Sequence, residues 1–328
     1  MHAIERLNTT RCPTIRTLQA SGARGIDYLR LSVTDRCALE CAYCNSGPLL
    51  DERNLLSAEE IARIADVAVQ AGVRHIRLTG GEPLERGDLI EIIERLASLP
   101  LDDLSMTTNG VALARDAERL RRAGLRRVNV SLCALDRSIW QRMTGADCLA
   151  DVLEGIRVAR DVGLNPVKIN TVVMRGINDS EILPLARFAQ REAIAVRFIE
   201  YMASGNAAES QLVTADEILS HLSVLGPKPV SSAAGAGPAE YYGTEGGGLV
   251  GIIAPVTRPF CGRCNRLRVT AEGKLRACLI EPQEIDLRPL LQHRDRDTLI
   301  SDALRRAASQ KPAQYRGRRS APMRHIGG

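Results

Sequence analysis

Nine cysteines against five histidines are the first chemical feature of this 328-residue chain. Six of the nine fall into two groups of three. Cys37, Cys41 and Cys44 lie within eight residues, close enough for three thiolates to face one cluster. A structural zinc ion takes four protein ligands, whereas a [4Fe–4S] cluster held by three cysteines leaves one iron open for another ligand. No fourth Cys or His lies close by in sequence, so this spacing favours the cluster. The plainer alternatives are a zinc site completed from elsewhere and buried free thiols. The second group is Cys261-x2-Cys264-x13-Cys278. A Cys-x2-Cys with a later Cys is also how a zinc ribbon begins, so zinc stays open there. Its fourth ligand is missing too, since the nearest later imidazole, His293, is fifteen residues beyond Cys278. Two three-thiol sites in one chain point to two clusters, each with an open iron.

Such groups need a scaffold, and the hydrophobic periodicity supplies one. Strand-type runs cover residues 28–33, 75–79, 104–108, 128–132, 167–173 and 196–200, alternating with helical stretches at 57–71, 87–99, 112–123, 149–162, 180–192 and 214–225. Ser57-Ala58-Glu59-Glu60 reads as a capping box, and Gly72, Gly124 and Gly163 follow helix ends. Six βα units with no Gly-x-Gly-x-x-Gly turn after the first strand predict an α/β fold of the incomplete (β/α)6 TIM-barrel type, in preference to a Rossmann sheet. A barrel two units short of eight has a lateral opening. Residues 228–328, read as an α+β extension with strand-like pieces at 249–253, 266–270 and 274–278, are the available cover. The division is then 1–24 as an N-terminal extension, 25–227 as the barrel, and 228–328 as the C-terminal region behind a low-complexity linker. Barrel chemistry sits at the C-terminal ends of strands. Thr34 to Cys44, Gly80-Gly81-Glu82-Pro83, Thr107-Thr108-Asn109-Gly110, Ser131 and Met202 all fall there.

Composition narrows the class. At 45% hydrophobic and 25% charged residues, disorder and collagen are excluded. No run approaches the roughly 20 apolar residues of a membrane span, and no apolar segment follows the N-terminus, so a cytoplasmic protein is expected. In that setting an odd, high cysteine count argues for metal or redox chemistry over disulfides. A formal charge of +5 suits an anionic ligand and is too mild for a nucleic-acid footprint.

Cys37-Ala38-Leu39-Glu40-Cys41-Ala42-Tyr43-Cys44 is similar to the Cys-x3-Cys-x-aromatic-Cys signature of the radical S-adenosylmethionine (SAM) superfamily, and Gly80-Gly81-Glu82-Pro83 resembles that superfamily's methionine-binding motif. Leu29-Arg30-Leu31-Ser32-Val33-Thr34-Asp35-Arg36-Cys37, Ile76-Arg77-Leu78-Thr79-Gly80-Gly81-Glu82-Pro83-Leu84, Phe260-Cys261-Gly262-Arg263-Cys264-Asn265-Arg266-Leu267-Arg268 and the terminal Gly327-Gly328 together resemble the GTP 3′,8-cyclases of molybdenum-cofactor biosynthesis. This resemblance runs from about residue 25 to the end and implies two [4Fe–4S] clusters, one on Cys37, Cys41 and Cys44 and one on Cys261, Cys264 and Cys278. The open iron of the first would bind the amino and carboxylate groups of SAM, and one electron would release a 5′-deoxyadenosyl radical. That radical would take the 3′ hydrogen of GTP, and the C3′ radical would close on C8. The second cluster would hold the guanine.

The resemblance also implies roles residue by residue. Tyr43, Gly81, Ser131 and Met202 would contact SAM, and Arg30, Arg77, Thr107, Lys168, Arg266 and Arg268 would contact GTP. Arg197, inward-facing if it alternates with Phe198, and the Gly327-Gly328 tail would serve catalysis. Implied partners are GTP, an electron donor such as flavodoxin or ferredoxin, and cyclic pyranopterin monophosphate synthase as receiver of the product. No membrane or nucleic acid is implied, for a monomer or a homodimer. The residue types suit these roles: forked Arg donors and a Lys point charge match phosphate oxygens, and a glycine admits close backbone approach.

Plainer readings stand beside each. Arg30 and Arg77 could form structural ion pairs, Ser131 a strand-end cap and Met202 core filling, and Arg316, Arg318, Arg319 and Arg324 a solvated terminus or a nucleic-acid arm. Three departures from the family stand out: Cys133 for Asp, Ala38 for Asn, and Asn45-Ser46-Gly47-Pro48 for a shorter Met-Pro. None removes a cluster ligand. Two competing functions leave motifs unused. A peptide-modifying twin-cluster enzyme has no need of Arg266, Arg268 and Gly327-Gly328, and a zinc-stabilised RNA-binding protein has none for Gly80-Gly81-Glu82-Pro83.

Overall fold

Parallel strands buried on both faces usually read as unbroken apolar runs. The six strands here alternate instead, and that alternation shapes the molecule. The computed structural model describes residues 17–20, 24–44, 47–202, 209–231, 237–314 and 323–326. A short hairpin of β1 (Leu18–Ala20) and β2 (Arg24–Ile26) precedes the repeating part. Then come β3 (Tyr28–Ser32), β4 (His75–Thr79), β5 (Asp103–Thr108), β6 (Arg127–Ser131), β7 (Lys168–Val173) and β8 (Ala195–Glu200), each paired in parallel with the next. Between and after them lie α1 (Ala58–Gln70), α2 (Leu89–Ala97), α3 (Leu113–Arg122), α4 (Arg137–Thr144), α5 (Leu149–Asp161), α6 (Ile182–Glu192) and α7 (Ala215–Leu222).

One parity of each strand is apolar and fully buried: Leu29 and Leu31, Ile76 and Leu78, Leu104 and Met106, Val128 and Val130, Val196 and Phe198 join Ile61, Ile64, Ile92 and Ile93 of the helices in one core. The other parity is polar, and the register lines it up across the sheet. Arg268, Arg30, Arg77 and Ser105 are successive partners, as are Thr107, Asn129 and Lys168, and then Ser131, Asn170 and Arg197. The capping box at Ser57 forms as expected, with Ser57 Oγ accepting from Glu60 N at 3.2 Å and Glu60 Oε2 from Ser57 N at 2.9 Å.

The remaining elements are β9 (Lys228–Val230), β10 (Glu240–Gly243), β11 (Leu249–Ile253), β12 (Arg266–Val269), β13 (Lys274–Arg276), β14 (Glu284–Asp286), α8 (Arg288–Leu291), α9 (Arg296–Ser309) and α10 (Met323–Ile326). All six of these strands join the same sheet, in the order β14-β13-β12-β3-β4-β5-β6-β7-β8-β11-β10-β9. β11 runs parallel to β8 and β12 parallel to β3, so the C-terminal region adds one parallel strand to each rim of the six. Among the described residues no ladder joins the two rims, and the barrel stays open. The segment from residue 254 to 265 crosses from one rim to the other. Glu200, buried at the end of β8, anchors its start by accepting from Val256 N and Thr257 N at 2.9 Å each. Tyr28 N, donating to Asn265 O at 3.2 Å, anchors its end.

The fold is the expected incomplete barrel with a C-terminal cover. Helices α4, α8, α9 and α10, strands β9, β10 and β14, and the β1–β2 hairpin were not foreseen, nor was the rim pairing of β11 and β12. A short strand's composition says nothing about which strand it will pair with. No described helix is long and apolar enough to cross a membrane.

Candidate active site

The polar parity of the strands faces a cavity of about 860 Å³. Nine of the described residues lining it are Arg or Lys, and one, Asp103, is acidic. That carboxylate is held by Arg127 at 2.6 Å. Arg30, Arg77, Lys168, Arg197, Arg266 and Arg268 all reach the cavity, as do Thr107, Tyr43, Ser131 and Met202. Arg197 points inward as the alternation predicted, and its guanidinium donates to Asn129 Oδ1 at 2.7 Å.

Burial beside other cations strains these groups electrostatically. Burial, then the charge of Arg268, lowers Arg30 well below its usual range. Arg268 falls to about 10 through burial and neighbouring Arg266, and Arg197 to about 10 through burial and Arg77. Lys168 falls to about 7, through burial first and then Arg197, Arg127 and Arg77. Aromatic rings offset part of this. Arg77 lies 5.6 Å from the Tyr28 ring centre, Lys168 5.7 Å from Tyr241 and Arg266 5.3 Å from Phe260. In a chain with only 3% aromatics, four of them (Tyr28, Tyr43, Tyr241 and Phe260) line this one cavity. Thr107 Oγ1, Asn170 Oδ1, Arg197 Nε and Arg266 Nε are buried and have no hydrogen-bond partner. Buried polar atoms are nearly always satisfied, so this concentration of cations and open polar atoms marks a place for an anionic, hydrogen-bonding ligand.

Cys37, Cys41 and Cys44 sit on the loop after β3 with Tyr43, which lines the cavity. Three elements hold this loop. Glu40 N and Ala42 N donate to Thr144 O and Met143 O at the end of α4, at 2.9 and 2.8 Å, which gives that unforeseen helix its place in the design. Ala38 N donates to Glu85 Oε1 at 2.6 Å, and Asn109 Nδ2 approaches Cys37 Sγ at 3.7 Å. Gly80 and Gly81 pack on the loop's other side. A Cβ at Gly80 would lie 2.3 Å from Thr34 O, and one at Gly81 2.2 Å from Arg36 O. The glycines are therefore required by the backbone of the cysteine loop, a tighter reason than the ligand approach inferred from sequence, and Gly81 does not line the cavity. Burial pushes Cys37 up to about 11 and Cys41 up to about 12.

Cys261, Cys264 and Cys278 themselves line the cavity. Burial raises Cys264, but Arg266 and Lys311 more than reverse this and bring it down to about 7. Lys311 is itself buried and donates to Arg266 O at 2.6 Å and Ala277 O at 2.7 Å. In each group the thiols sense one another's charge, Cys41 responding to Cys44 and Cys37, and Cys261 to Cys278 and Cys264. Yet among the described residues no three His, Cys, Asp or Glu side chains converge on a single metal ion. Ligands on the separate irons of a cubane need no such convergence.

Near the C-terminus, Met323 N donates to Cys44 O at 3.1 Å, His325 Nε2 meets Pro48 O at 2.8 Å, and Ile326 is buried. Residues 323–326 thus rest on the first cysteine loop, and Arg324 is buried there instead of solvated. Gly327 and Gly328, Arg316, Arg318 and Arg319, Cys12, and Asn45-Ser46 lie outside the described residues. Cys133 is a buried thiol whose carbonyl accepts from Asn178 Nδ2 at 2.9 Å. Sequence reasoning missed Asn170, Tyr241 and Lys311. Asn170 was within reach, two residues from Lys168 on the same strand face; Tyr241 and Lys311 stand in segments with no telling pattern.

Residues 31–189 match the family model described as Radical SAM superfamily, and residues 194–317 that described as Molybdenum Cofactor Synthesis C. Curated proteins named GTP 3′,8-cyclase align along most of the chain. That of Moorella thermoacetica is 43% identical over 323 residues, covering 95% of this chain and 100% of its own. That of Thermodesulfovibrio yellowstonii is 45% identical over 278 residues, covering 82% and 86%. Among solved structures, Streptococcus suis SuiB bound to S-adenosylmethionine superposes with a TM-score of 0.61 at 15% identity, over 85% of this chain and 65% of that one, a likeness of fold alone. With both parts of the chain matched and that identity sustained across it, this protein belongs to the radical SAM superfamily and, within it, to the GTP 3′,8-cyclase family.

Proposed function

We propose that this chain converts GTP to (8S)-3′,8-cyclo-7,8-dihydroguanosine 5′-triphosphate, the first step of molybdenum-cofactor biosynthesis. The observation that carries the reading is a single cavity lined by nine cations and by the thiols Cys261, Cys264 and Cys278, which Tyr43 also reaches from its place between Cys41 and Cys44. The donor set suits a [4Fe–4S] cluster on Cys37, Cys41 and Cys44: three soft ligands, half-buried, with no fourth to close the site. When loaded, that cluster supplies the electron that cleaves SAM to methionine and a 5′-deoxyadenosyl radical. We assign Cys261, Cys264 and Cys278 as the residues that would hold a second cluster, which would supply a binding position for the guanine. The lowered Cys264 thiol supports this, because metal ligation requires the thiolate.

The chain's own residues do the rest. Tyr43, Ser131 and Met202 hold SAM from the cavity wall, and Gly81 serves that site by admitting the backbone of the cysteine loop. Arg30, Arg77, Lys168, Arg266 and Arg268 neutralise the triphosphate, and its negative charge in turn keeps Lys168 protonated. Thr107, Asn170 and Arg197 bring open hydrogen-bonding atoms to the remainder of the nucleotide. Walls such as Ile253 and Pro255 exclude water, which a carbon radical requires. Gly327 and Gly328 complete the geometry around GTP. Removing both leaves cluster content and SAM binding intact while cyclisation falls sharply, and unchanged cyclisation would overturn that role. A cytoplasmic setting, a flavodoxin- or ferredoxin-type donor and transfer of product to cyclic pyranopterin monophosphate synthase belong to the same reading, as does a division into extension (1–24), barrel (25–227) and cover (228–328).

The test is anaerobic purification with iron and sulfide analysis, followed by incubation with GTP, SAM and a strong reductant. The expected result is about eight irons per chain and 5′-deoxyadenosine formed as GTP is consumed. Zinc in place of iron, or 5′-deoxyadenosine with GTP untouched, would overturn the proposal.

A further inference from the structure

We propose that Asn109 is a positioning residue for the first cluster, holding the Cys37 sulfur by an N–H···S hydrogen bond and raising the cluster's reduction potential; this rests on the assignment of Cys37, Cys41 and Cys44 to that cluster. Asn109 follows β5 and is not among the residues that line the cavity. Its Nδ2 lies 3.7 Å from Cys37 Sγ, within hydrogen-bond range for sulfur.

The orientation of its amide is fixed by a second bond. Asn109 Oδ1 accepts from Val111 N at 3.0 Å, a bond only the carbonyl end can make, so the NH2 end is the one turned to sulfur. The backbone is fixed as well. Asn109 N donates to Glu82 Oε2 at 2.5 Å, while Glu82 Oε1 accepts from Thr108 Oγ1 at 2.7 Å and Leu84 N at 3.1 Å. Glu82 is only 2% exposed, so these bonds are shielded from competing water. Glu82 thus clamps Asn109, and Asn109 reaches the cysteine loop. The glutamate of Gly80-Gly81-Glu82-Pro83 and the asparagine of Thr107-Thr108-Asn109-Gly110 form one brace.

Hydrogen bonds to ligand sulfur are among the factors that set an iron–sulfur potential, because they stabilise the negative charge added on reduction. The test compares the anaerobically loaded full chain with Asn109→Ala and Asn109→Asp. The first removes the donor, and the second removes it while keeping the acceptor for Val111 N. Each is titrated by EPR, the first cluster's signal being identified by its change on adding SAM. At a fixed poise the reduced-to-oxidised ratio is expected to fall about tenfold in Asn109→Ala, equivalent to about 59 mV for one electron, and further in Asn109→Asp, which adds a negative charge. If Asn109→Ala loads poorly, the nearly isosteric Asn109→Asp decides. A wild-type midpoint in the loaded variants would overturn the proposal. A wild-type chain that binds no iron at this triad would overturn the assignment beneath it, a separate and distinguishable failure.

Discussion

The Cys37 triad and the Cys261 triad each offer three thiols, in opposite surroundings. Around the first, burial and then the nearby Glu82 and Glu85 carboxylates push Cys37 up. Around the second, Arg266 and Lys311 outweigh burial and pull Cys264 down. Nearby carboxylates favour an oxidised, more positive metal centre, whereas nearby cations stabilise added negative charge and sharpen Lewis acidity. On the proposed assignment, the first triad suits a strongly reducing centre and the second one that grips an electron-rich ligand, although burial still raises Cys261 there. An equal number of thiols does not mean an equal duty.

The largest effect expected to test this contrast comes from the ligands themselves. Cys41→Ser should reduce 5′-deoxyadenosine formation to background, whereas Cys261→Ser should keep SAM binding and lose productive GTP turnover. Equal loss of SAM binding in both would break the comparison. Next comes Arg268→Ala, which removes a buried cation from the cavity lining. GTP binding, followed by calorimetry without reductant, should weaken about 30-fold or more, in line with about 2 kcal/mol or above for a buried charge contact, with SAM affinity unchanged.

A smaller effect should appear at Gly81→Ala. Its new Cβ would fall 2.2 Å from Arg36 O, and overpacking of this kind costs about 1–3 kcal/mol. Iron at the first triad should fall while the second retains its metal, and loss at both would blur the distinction. The smallest effect concerns protons. Lys168 in the free protein titrates near 7, held down by burial and by Arg197, Arg127 and Arg77, and a bound triphosphate raises it. Above pH 7, GTP binding should therefore take up as much as about one proton and weaken with rising pH, by at most about tenfold per pH unit. Below pH 7 the lysine is already charged and the dependence fades. Calorimetry in buffers of different ionisation heat measures the uptake, and Lys168→Arg, permanently charged, should abolish it.

The six barrel strands were legible to within a residue or two because a βα repeat writes its alternation locally: Ile76 and Leu78 against His75 and Arg77 already define two faces. The six thiols and most cavity cations were legible because chemistry needs particular residue types at particular spacings. Pairing was not. The placement of β11 and β12 at opposite rims depends on partners far away in the chain, and Lys311 gains its role only because α9 delivers it beside Cys264. Helix α4 was not read from the sequence, because its eight residues between the Asp136 N-cap and Gly145 are too few to show a helical period.

The rim pairing carries a consequence for how the protein is made. Asn265 Nδ2 bonds Asp27 Oδ1 at 2.6 Å across 238 residues of chain, so β3 leaves the ribosome long before β12 exists. At a synthesis rate of about 5–20 residues per second, its outer edge waits roughly ten seconds or more for a partner. The edge of β8 waits less, for β11. During that interval the nascent half-barrel presents two bare strand edges, the surfaces most prone to pairing with another chain. Only the last third of the protein seals them, and in doing so it brings the second set of thiols to the cavity. Covering the edge of β3 and delivering the second set of thiols are therefore coupled, because β12 lies between Cys264 and Cys278.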